Sequence, residues 1–207
     1  MSKLFEIELE LYENGHRYIA CIDEVGRGCL YGEVIAAAII LPPFYSIEGS
    51  KDSKKLSPKK REFLYDYILK NSLGIGIGSV NSQIIDKINI KQATRLAMKK
   101  ALENLISNLK YNIEPSIVLI DAETIDTNIP QRSIINGDNL VHGIGAASVV
   151  AKVYRDRLCK DWDKIHPGYD LCKNKGYGTK THIQSLKCLG PTLDHRKTFI
   201  KKILEGK

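Results

Sequence analysis

Short runs of apolar residues in the first part of the chain predict a set of buried strands. The runs extend over residues 18–22, 34–41, 74–80 and 116–120. Apolar runs of this length, ended by turn residues, are typical of strands that are covered on both faces. The run at 74–80 alternates glycine with isoleucine, which predicts a bare strand face that lies close to another element.

Helical periodicity follows in the segments between and after these strands. Ser57 is a suitable N-cap because Pro58 follows it at the first helical position. Apolar residues at i, i+3, i+4 and i+7 predict longer helices near residues 92–109 and 140–165. A shorter helix that begins near Thr179 and a final amphipathic helix complete the chain. Strands first and helices afterwards predict an α/β fold with a mixed β-sheet.

The length and composition are those of one globular unit. With 207 residues, of which 43% are hydrophobic and 27% charged, the chain can bury a substantial core. It contains no internal repeat, low-complexity tract or long linker. We therefore expect a single domain over residues 1–207, with an N-terminal helix or tail at 1–17 and a helical C-terminal part over about 166–207.

The N-terminus and the cysteines bear on the expected location. Residues 1–13 are acidic and mixed, and no stretch approaches the roughly 18 apolar residues of a membrane span. We therefore expect a cytoplasmic protein that does not enter a membrane. The five cysteines are odd in number and have no CxxC spacing, which predicts free thiols rather than disulfides or a zinc ribbon.

The charge balance favours a polyanionic partner. The formal net charge is +7 and the isoelectric point is about 9.1. Lysine and arginine gain free energy by displacing counterions from phosphates, so nucleic acid is one such partner. The basic residues are spread along the chain, which predicts a folded basic face rather than a tail. Charge alone does not separate this interpretation from a basic surface without a specific partner.

Three carboxylates follow predicted strands in this basic chain. Asp23 and Glu24 come directly after the first apolar run, and Asp121 comes directly after the fourth. Carboxylates at a sheet end can hold divalent cations that neutralise a phosphodiester, activate a water and stabilise the leaving oxygen. The alternative is that Asp23 and Asp121 are ordinary turn residues, and position alone leaves both interpretations open.

Asp138 and the histidines give a weaker metal signal. Asp138 precedes the helix predicted from about residue 140, so its position alone favours a helix N-cap over a metal ligand. The five histidines lack the spacing of an HExxH site and have no CxxC pair beside them. We therefore assign no metal to the histidines.

A set of short motifs extends in a fixed order from about Tyr18 to Phe199. It begins with DEVGRG at 23–28, continues with DSKKLS at 52–57 and GD at 137–138, and includes GYGT at 176–179 and GPT at 190–192. In content, order and approximate spacing, the set resembles the ribonuclease HII family. The joint occurrence of so many motifs makes the resemblance specific.

The resemblance implies a fold and a chemistry. The fold is a ribonuclease H-like mixed β-sheet flanked by helices, with a helical C-terminal part. The activity is that of an endoribonuclease that uses Mg²⁺ or Mn²⁺ in two-metal catalysis. It cleaves on the 5′ side of ribonucleotides, in RNA·DNA hybrids or singly embedded in duplex DNA, and leaves 3′-hydroxyl and 5′-phosphate ends. The implied metal-binding, catalytic carboxylates are Asp23, Glu24, Asp121 and Asp138, which replaces the N-cap interpretation of Asp138.

The same resemblance implies a set of substrate-binding residues. A glycine-lined turn lets backbone groups approach the 2′-hydroxyl that distinguishes RNA from DNA. Tyr177 matches an aromatic residue that stacks on the sugar next to the ribonucleotide, although without the motif it would be an ordinary loop tyrosine. The turn residues are Gly26, Arg27 and Gly28, and the positions expected near the nucleic-acid backbone are Lys54, Ser148 and Lys152.

Departures from the family pattern fall beside these residues. Cys29, Tyr31 and Glu33 stand where proline, a small residue and proline are common. Ala122 and Gly145 replace a frequent glycine and a usual alanine. All four acids are intact, so the departures bear on the rigidity of the turn, and on rate, more than on the chemistry.

Other classes of protein fit the sequence less well. Ribonuclease HIII shares the acids but normally carries an extra N-terminal domain, for which about 17 residues are too few. A nucleic-acid binding module without catalysis gains nothing from acids that repel phosphates. A scaffold protein leaves both the basic charge and the acids unexplained. Monomer is the default oligomeric state, and contact with a replication clamp is left open.

Overall fold

The fold was obtained as a computed structural model, which describes residues 5–45, 47, 57–109 and 113–206. Lys54, expected near the nucleic-acid backbone, lies outside the described residues. None of the helices within these ranges is long and apolar enough to cross a membrane. The five cysteines are free thiols, and three of them are buried.

A five-stranded mixed sheet forms the centre of the fold. Its strands are β1 (Ile19–Val25), β2 (Val34–Ile40), β3 (Gly74–Val80), β4 (Ile117–Asp121) and β5 (Gln131–Ile134). Their order across the sheet is β3-β2-β1-β4-β5. Strands β3, β2 and β1 are antiparallel neighbours, whereas β1, β4 and β5 are parallel. The predicted α/β fold with a mixed sheet is therefore confirmed.

Helices cover both faces of this sheet. They are α1 (Glu6–Glu13), α2 (Pro58–Asn71), α3 (Ser82–Asn108), α4 (Gly137–Leu140), α5 (His142–Ile165), α6 (Leu171–Asn174), α7 (Lys180–Leu189) and α8 (Lys197–Leu204). As the sequence predicts, the side chain of Ser57 accepts a hydrogen bond from Lys60 N at the start of α2. Thr179 caps α7 in the same way.

Alternation along the central strands builds two cores. Cys21 of β1 and Leu119 of β4 pack in one cluster with residues of α5. Ile22 and Ile120, one position further along each strand, pack in a second cluster with residues of α3. Because both faces of the sheet are covered, these strands are apolar throughout until they reach the acids at their ends.

The glycines of β3 allow α3 to lie directly on the sheet. A Cβ at Gly76 would overlap the carbonyl oxygen of Ala101, and a Cβ at Gly78 would overlap that of Ala97. The predicted bare strand face is thus the contact surface for a helix backbone. Only a residue without a side chain permits this approach.

Two predicted helix boundaries were wrong, and one strand of the sheet was not predicted. The helix predicted over about 92–109 is the second part of α3, which begins at Ser82 and changes direction at Asn89, where φ is 66°. The helix predicted over about 140–165 begins at His142, after the separate short helix α4. Strand β5 had no prediction because three of its four residues, Gln131 to Ser133, are polar.

Candidate active site

Three carboxylates meet where β1 and β4 end at the same edge of the sheet. The two strands are parallel neighbours with Ile22 beside Ile120, so the residues that follow, Asp23 and Asp121, lie side by side. Asp23, Glu24 and Asp121 each offer an oxygen, and these oxygens lie within 4.8 Å of one another. The parallel pairing thus gathers acids that are far apart in the sequence.

Hydrogen bonds hold two of these carboxylates in place. Oδ1 of Asp23 accepts from the Glu24 backbone N–H at 2.7 Å, and the Ser148 hydroxyl on α5 also donates to Asp23. Oδ1 of Asp121 accepts from the Gly137 N–H at 2.6 Å. Each acid is therefore oriented by an element that packs on the sheet edge, rather than left as a free turn side chain.

The electrostatics of the cluster favour a bound cation. Burial, followed by repulsion from Glu24, raises the pKa of Asp23 well above its usual range. Burial also raises the pKa of Glu24, against the lowering effect of Arg27. Oε2 of Glu24 is buried and has no hydrogen-bond partner among the described residues. Carboxylates that repel one another, one of them with an oxygen that has no donor, fit a divalent metal ion, which prefers carboxylate ligands.

Asp138 lies beside the cluster but is not one of the three grouped acids. It is a buried residue in the first turn of α4, and its Oδ1 accepts from Asn139 Nδ2 at 2.9 Å. The residue that caps α4 is Asn136, so the N-cap interpretation of Asp138 is wrong. The preceding residue, Gly137, binds Asp121, which brings α4 to the metal-site candidate.

A cavity of about 380 Å³ lies above the carboxylates. Its lining includes the three acids and nearly all of the substrate-binding residues expected from the sequence. Those residues are Gly26, Arg27, Gly28, Ser148, Lys152 and Tyr177, and Arg61 of α2 joins them. A cavity that is lined by acids, basic side chains and an aromatic ring can hold a phosphate ester next to a metal site.

Arg27 connects the glycine turn to the acids. Its Nη1 lies 3.5 Å from Oε1 of Glu24, and its Nη2 lies 3.7 Å from Oε1 of Glu123. Glu123 is buried and also pairs with Arg95 of α3, at 3.0 Å. No role was predicted for Glu123, although a charged residue two positions after Asp121 was a usable signal.

Two buried arginines support the glycine turn from behind. Arg155 of α5 donates to the carbonyls of Tyr31, Glu33 and Lys175. Arg196 donates to the carbonyls of Arg27 and Gly32. Both side chains are fully buried, and neither was predicted to belong to the site. Their role depends on carbonyl positions that no spacing in the sequence discloses.

Tyr177 faces the turn from the C-terminal part of the chain. Its backbone forms an isolated antiparallel bridge with Cys29, and its side chain is 40% exposed at the cavity. Lys152 of α5, on the cavity wall, pairs with Asp156 at 2.7 Å. The turn, α5 and the loop before α7 therefore converge on one opening.

Known proteins share both the sequence and the fold. The family model described as Ribonuclease HII matches residues 20–202. The ribonuclease HII of Alkaliphilus oremlandii (strain OhILAs) is 57% identical over 199 residues, which are 96% of this chain and 98% of that protein. This similarity covers the acids, the glycine turn and Tyr177 together.

Solved structures extend the likeness in fold. The ribonuclease HII in a PCNA complex from Archaeoglobus fulgidus has a TM-score of 0.72 at 22% identity, covering 91% of this chain and 97% of that one. Bst-RNase HIII in complex with Mn²⁺ has a TM-score of 0.72 at 14% identity, covering 95% and 72%. The ribonuclease H-like fold is thus confirmed, and the chain belongs to the ribonuclease HII family, as a ribonuclease H type 2 enzyme.

Proposed function

We propose that this enzyme hydrolyses the phosphodiester on the 5′ side of ribonucleotides, both in RNA·DNA hybrids and at single ribonucleotides in duplex DNA. The products would carry 3′-hydroxyl and 5′-phosphate ends. The observation that carries the proposal is the group formed by Asp23, Glu24 and Asp121 beneath a cavity lined by the glycine turn and Tyr177. This arrangement places a metal-binding edge next to groups suited to a sugar and a phosphate.

The family depends on divalent metal ions, and the carboxylates of this chain suit Mg²⁺ or Mn²⁺. Asp23, Glu24 and Asp121 would hold the metal, and Asp138 is proposed as the fourth ligand because α4 is joined to Asp121. When bound, two such ions would supply charge neutralisation at the phosphate and an activated water. The unpartnered Oε2 of Glu24 supports this proposal.

The protein itself orients the acids and balances their charge. Ser148 and the Glu24 N–H fix the direction of the Asp23 carboxylate. Arg27 offsets part of the negative charge on Glu24 from the side of the glycine turn. These contacts hold the ligands before substrate arrives, which reduces the reorganisation that catalysis requires.

Recognition of the ribonucleotide would fall to the turn and Tyr177. Backbone groups at Gly26, Arg27 and Gly28 can approach a 2′-hydroxyl because no side chain covers the glycines. Lys152, at the cavity, and Lys54 are proposed to contact backbone phosphates. Tyr177 would stack on the sugar next to the ribonucleotide.

The test is incision of a labelled DNA duplex that contains one ribonucleotide, with all-DNA and RNA·DNA hybrid duplexes beside it. Mg²⁺- or Mn²⁺-dependent incision on the 5′ side of the ribonucleotide, with no cutting of all-DNA, is the expected result. Tight binding without incision under either metal would refute the proposal. End mapping of the products checks the 3′-hydroxyl and 5′-phosphate.

Variants separate the proposed ligands from other acids. Asp23→Asn and Asp138→Asn should each abolish incision while duplex binding stays near normal. Asp161→Asn is the matched control, because Asp161 is an exposed acid near the far end of α5 that pairs with Lys164, three residues away. Full activity of Asp138→Asn would remove Asp138 from the site and leave the other three acids as the proposed ligands.

A further inference from the structure

Two buried histidines lie behind Tyr177 in the C-terminal part of the chain. His182 in α7 and His195 before α8 are 0% and 1% exposed. Neither lines the cavity above the carboxylates. They lie 3.2 Å apart, Nε2 to Nε2, so they form a pair that the proposed chemistry does not use.

The hydrogen-bond partners of the two outer ring nitrogens determine which histidine donates to the other. The backbone N–H of Thr192 can only donate, and it lies 3.0 Å from Nδ1 of His195, which must therefore accept. A neutral His195 then carries its hydrogen on Nε2 and donates to Nε2 of His182. His182 in turn carries its hydrogen on Nδ1 and donates to the carbonyl of Tyr177 at 2.9 Å.

Both rings are neutral at physiological pH, which this direction requires. Burial lowers the pKa of His195 to about 4, with a further lowering by His182 and His166. Burial also lowers the pKa of His182, against the raising effect of its hydrogen bond to Tyr177. A proton added to Nε2 of His182 would bring two N–H groups face to face between the rings, and a proton added to Nδ1 of His195 would face the N–H of Thr192. Either proton would break the chain.

The loop that carries the glycine turn contacts this chain of hydrogen bonds at both of its ends. Cys29 forms a backbone bridge with Tyr177, and Tyr31 forms one with His195. The ring of Tyr31 also lies edge-on against that of His195, with centroids 4.9 Å apart. The position of Tyr177 relative to the turn therefore depends on the His182–His195 pair.

We propose that His182 and His195 are positioning residues that set the distance between Tyr177 and the glycine turn, and so the selectivity for a single ribonucleotide. The inference rests on the proposed function, because it requires that Tyr177 contacts the substrate. Neither histidine touches the reacting atoms in this proposal. Their effect passes through the Tyr177 carbonyl, which the Thr179 N–H also holds at 2.8 Å.

The kinetic test compares His182→Gln with His182→Asn. An asparagine amide can occupy the position of Nδ1 and keep donating to Tyr177, whereas a glutamine amide reaches the position of Nε2 and loses that donor. We expect His182→Gln to lower kcat/KM on the single-ribonucleotide duplex by about tenfold, as for one lost hydrogen bond, with little change on a long hybrid. His182→Asn should restore the wild-type ratio between the two substrates.

The Tyr177→Ala variant separates failure of this inference from failure of the proposed function. If Tyr177→Ala lowers cleavage at a single ribonucleotide, His182→Gln in that background should add no further loss of selectivity. Equal selectivity in His182→Gln and His182→Asn, with Tyr177→Ala impaired, would overturn the inference alone. Unchanged cleavage by Tyr177→Ala would overturn both the proposed contact and the inference.

A spectroscopic test does not depend on activity. Long-range ¹H–¹⁵N correlation spectra should show hydrogen on Nδ1 of His182 and on Nε2 of His195 in the wild-type protein. The opposite tautomers would overturn the inference whatever the kinetics. If His182→Gln does not fold, His195→Gln and His195→Leu form a second pair. Gln keeps a donor toward His182 and should keep the selectivity, whereas Leu should lose it; equal selectivity in this pair contradicts the inference.

Discussion

The ring of Tyr177 lies against Gly28, because a Cβ built on Gly28 would be 4.0 Å from Cε1 of that ring. This is an ordinary van der Waals distance, so packing alone does not exclude a side chain at Gly28. Gly26 differs, since its φ is +90° and a Cβ there would overlap Nε of Arg155. Packing and backbone conformation thus require glycine at position 26, whereas at position 28 they do not.

Gly28→Ala should therefore impair function with little effect on folding. We expect a change of less than about 1 kcal/mol in the free energy of unfolding, since the added methyl group meets no clash. The kcat/KM at a single ribonucleotide should fall tenfold or more, on the order of 1.4 kcal/mol, because the methyl group fills the gap that the sugar would occupy. Gly26→Ala is the comparison, and it should lower both quantities. A strongly destabilised Gly28→Ala would contradict this division.

Metal binding should stabilise the folded protein through the acids. With Mg²⁺ or Mn²⁺ well above its dissociation constant, each tenfold rise in concentration should add about 1.4 kcal/mol per bound ion to the free energy of unfolding. EDTA should reverse the rise. Asp23→Asn should lose most of this metal-dependent stabilisation. Without metal, its Tm should be at least that of the wild type, because burial and repulsion from Glu24 disfavour the charged Asp23 and raise its pKa.

Differential scanning fluorimetry over a metal titration measures this effect. Asp161→Asn should behave like the wild type, since it keeps the cluster intact. A metal-dependent rise of the same size in Asp23→Asn would show that the stabilising site lies elsewhere.

Glu8 should make stability depend on pH. Its carboxylate accepts from the N–H groups of His142 and Gly143 at the start of α5, yet burial raises its pKa from 4.5 to about 7. Since the folded state binds this proton more tightly, the contribution is present below about pH 4.5 and is lost as pH rises through about 7. Relative to Glu8→Gln, the wild type should lose on the order of 3 kcal/mol between pH 5 and 8.

Urea unfolding of both proteins at the two pH values gives this difference, and Glu6→Gln on the exposed side of α1 is the control. The comparison removes the opposite pH dependence of His142, whose pKa burial lowers to about 4, because both proteins retain it. A wild type that gains stability relative to Glu8→Gln as pH rises would contradict the assignment.

Gly78→Ala should destabilise the whole fold. The added Cβ would overlap the Ala97 carbonyl and the Ala101 N–H of α3, and a helix backbone cannot yield as a side chain can. We expect a cost of about 3 kcal/mol or more, at the upper end for overpacked cores. Ser79→Ala on the same strand is the control and should cost much less. Thermal unfolding checks both variants, and a Gly78→Ala protein as stable as wild type would show that α3 can move away.

The apolar runs and the capping residues predicted most of the fold. The predicted strand at 74–80 matches β3, the Ser57 cap lies where the sequence indicates, and the helix predicted to begin near Thr179 matches α7. What could not be predicted follows from interactions distant in sequence. Strand β5 forms because its backbone pairs with β4 and not because its side chains are apolar.

For the site, strand-end acids could be found from the sequence, but their partners could not. The adjacency of Asp23 and Asp121 needs a parallel pairing between β1 and β4, which the apolar runs do not specify. The contacts of Glu123 and of the His182–His195 pair depend on side-chain directions that are set only when the helices pack. The position of Glu123, two residues after Asp121, was itself a signal. The metal and substrate roles of these residues stay predictions.

The way in which Arg155 and Arg196 hold the turn bears on how its sequence can change. Both guanidinium groups bind main-chain carbonyls, which every amino acid supplies. A segment anchored through its backbone can exchange side chains without losing its anchors. The departures at Cys29, Tyr31 and Glu33 from the expected proline, small residue and proline therefore leave these main-chain anchors in place.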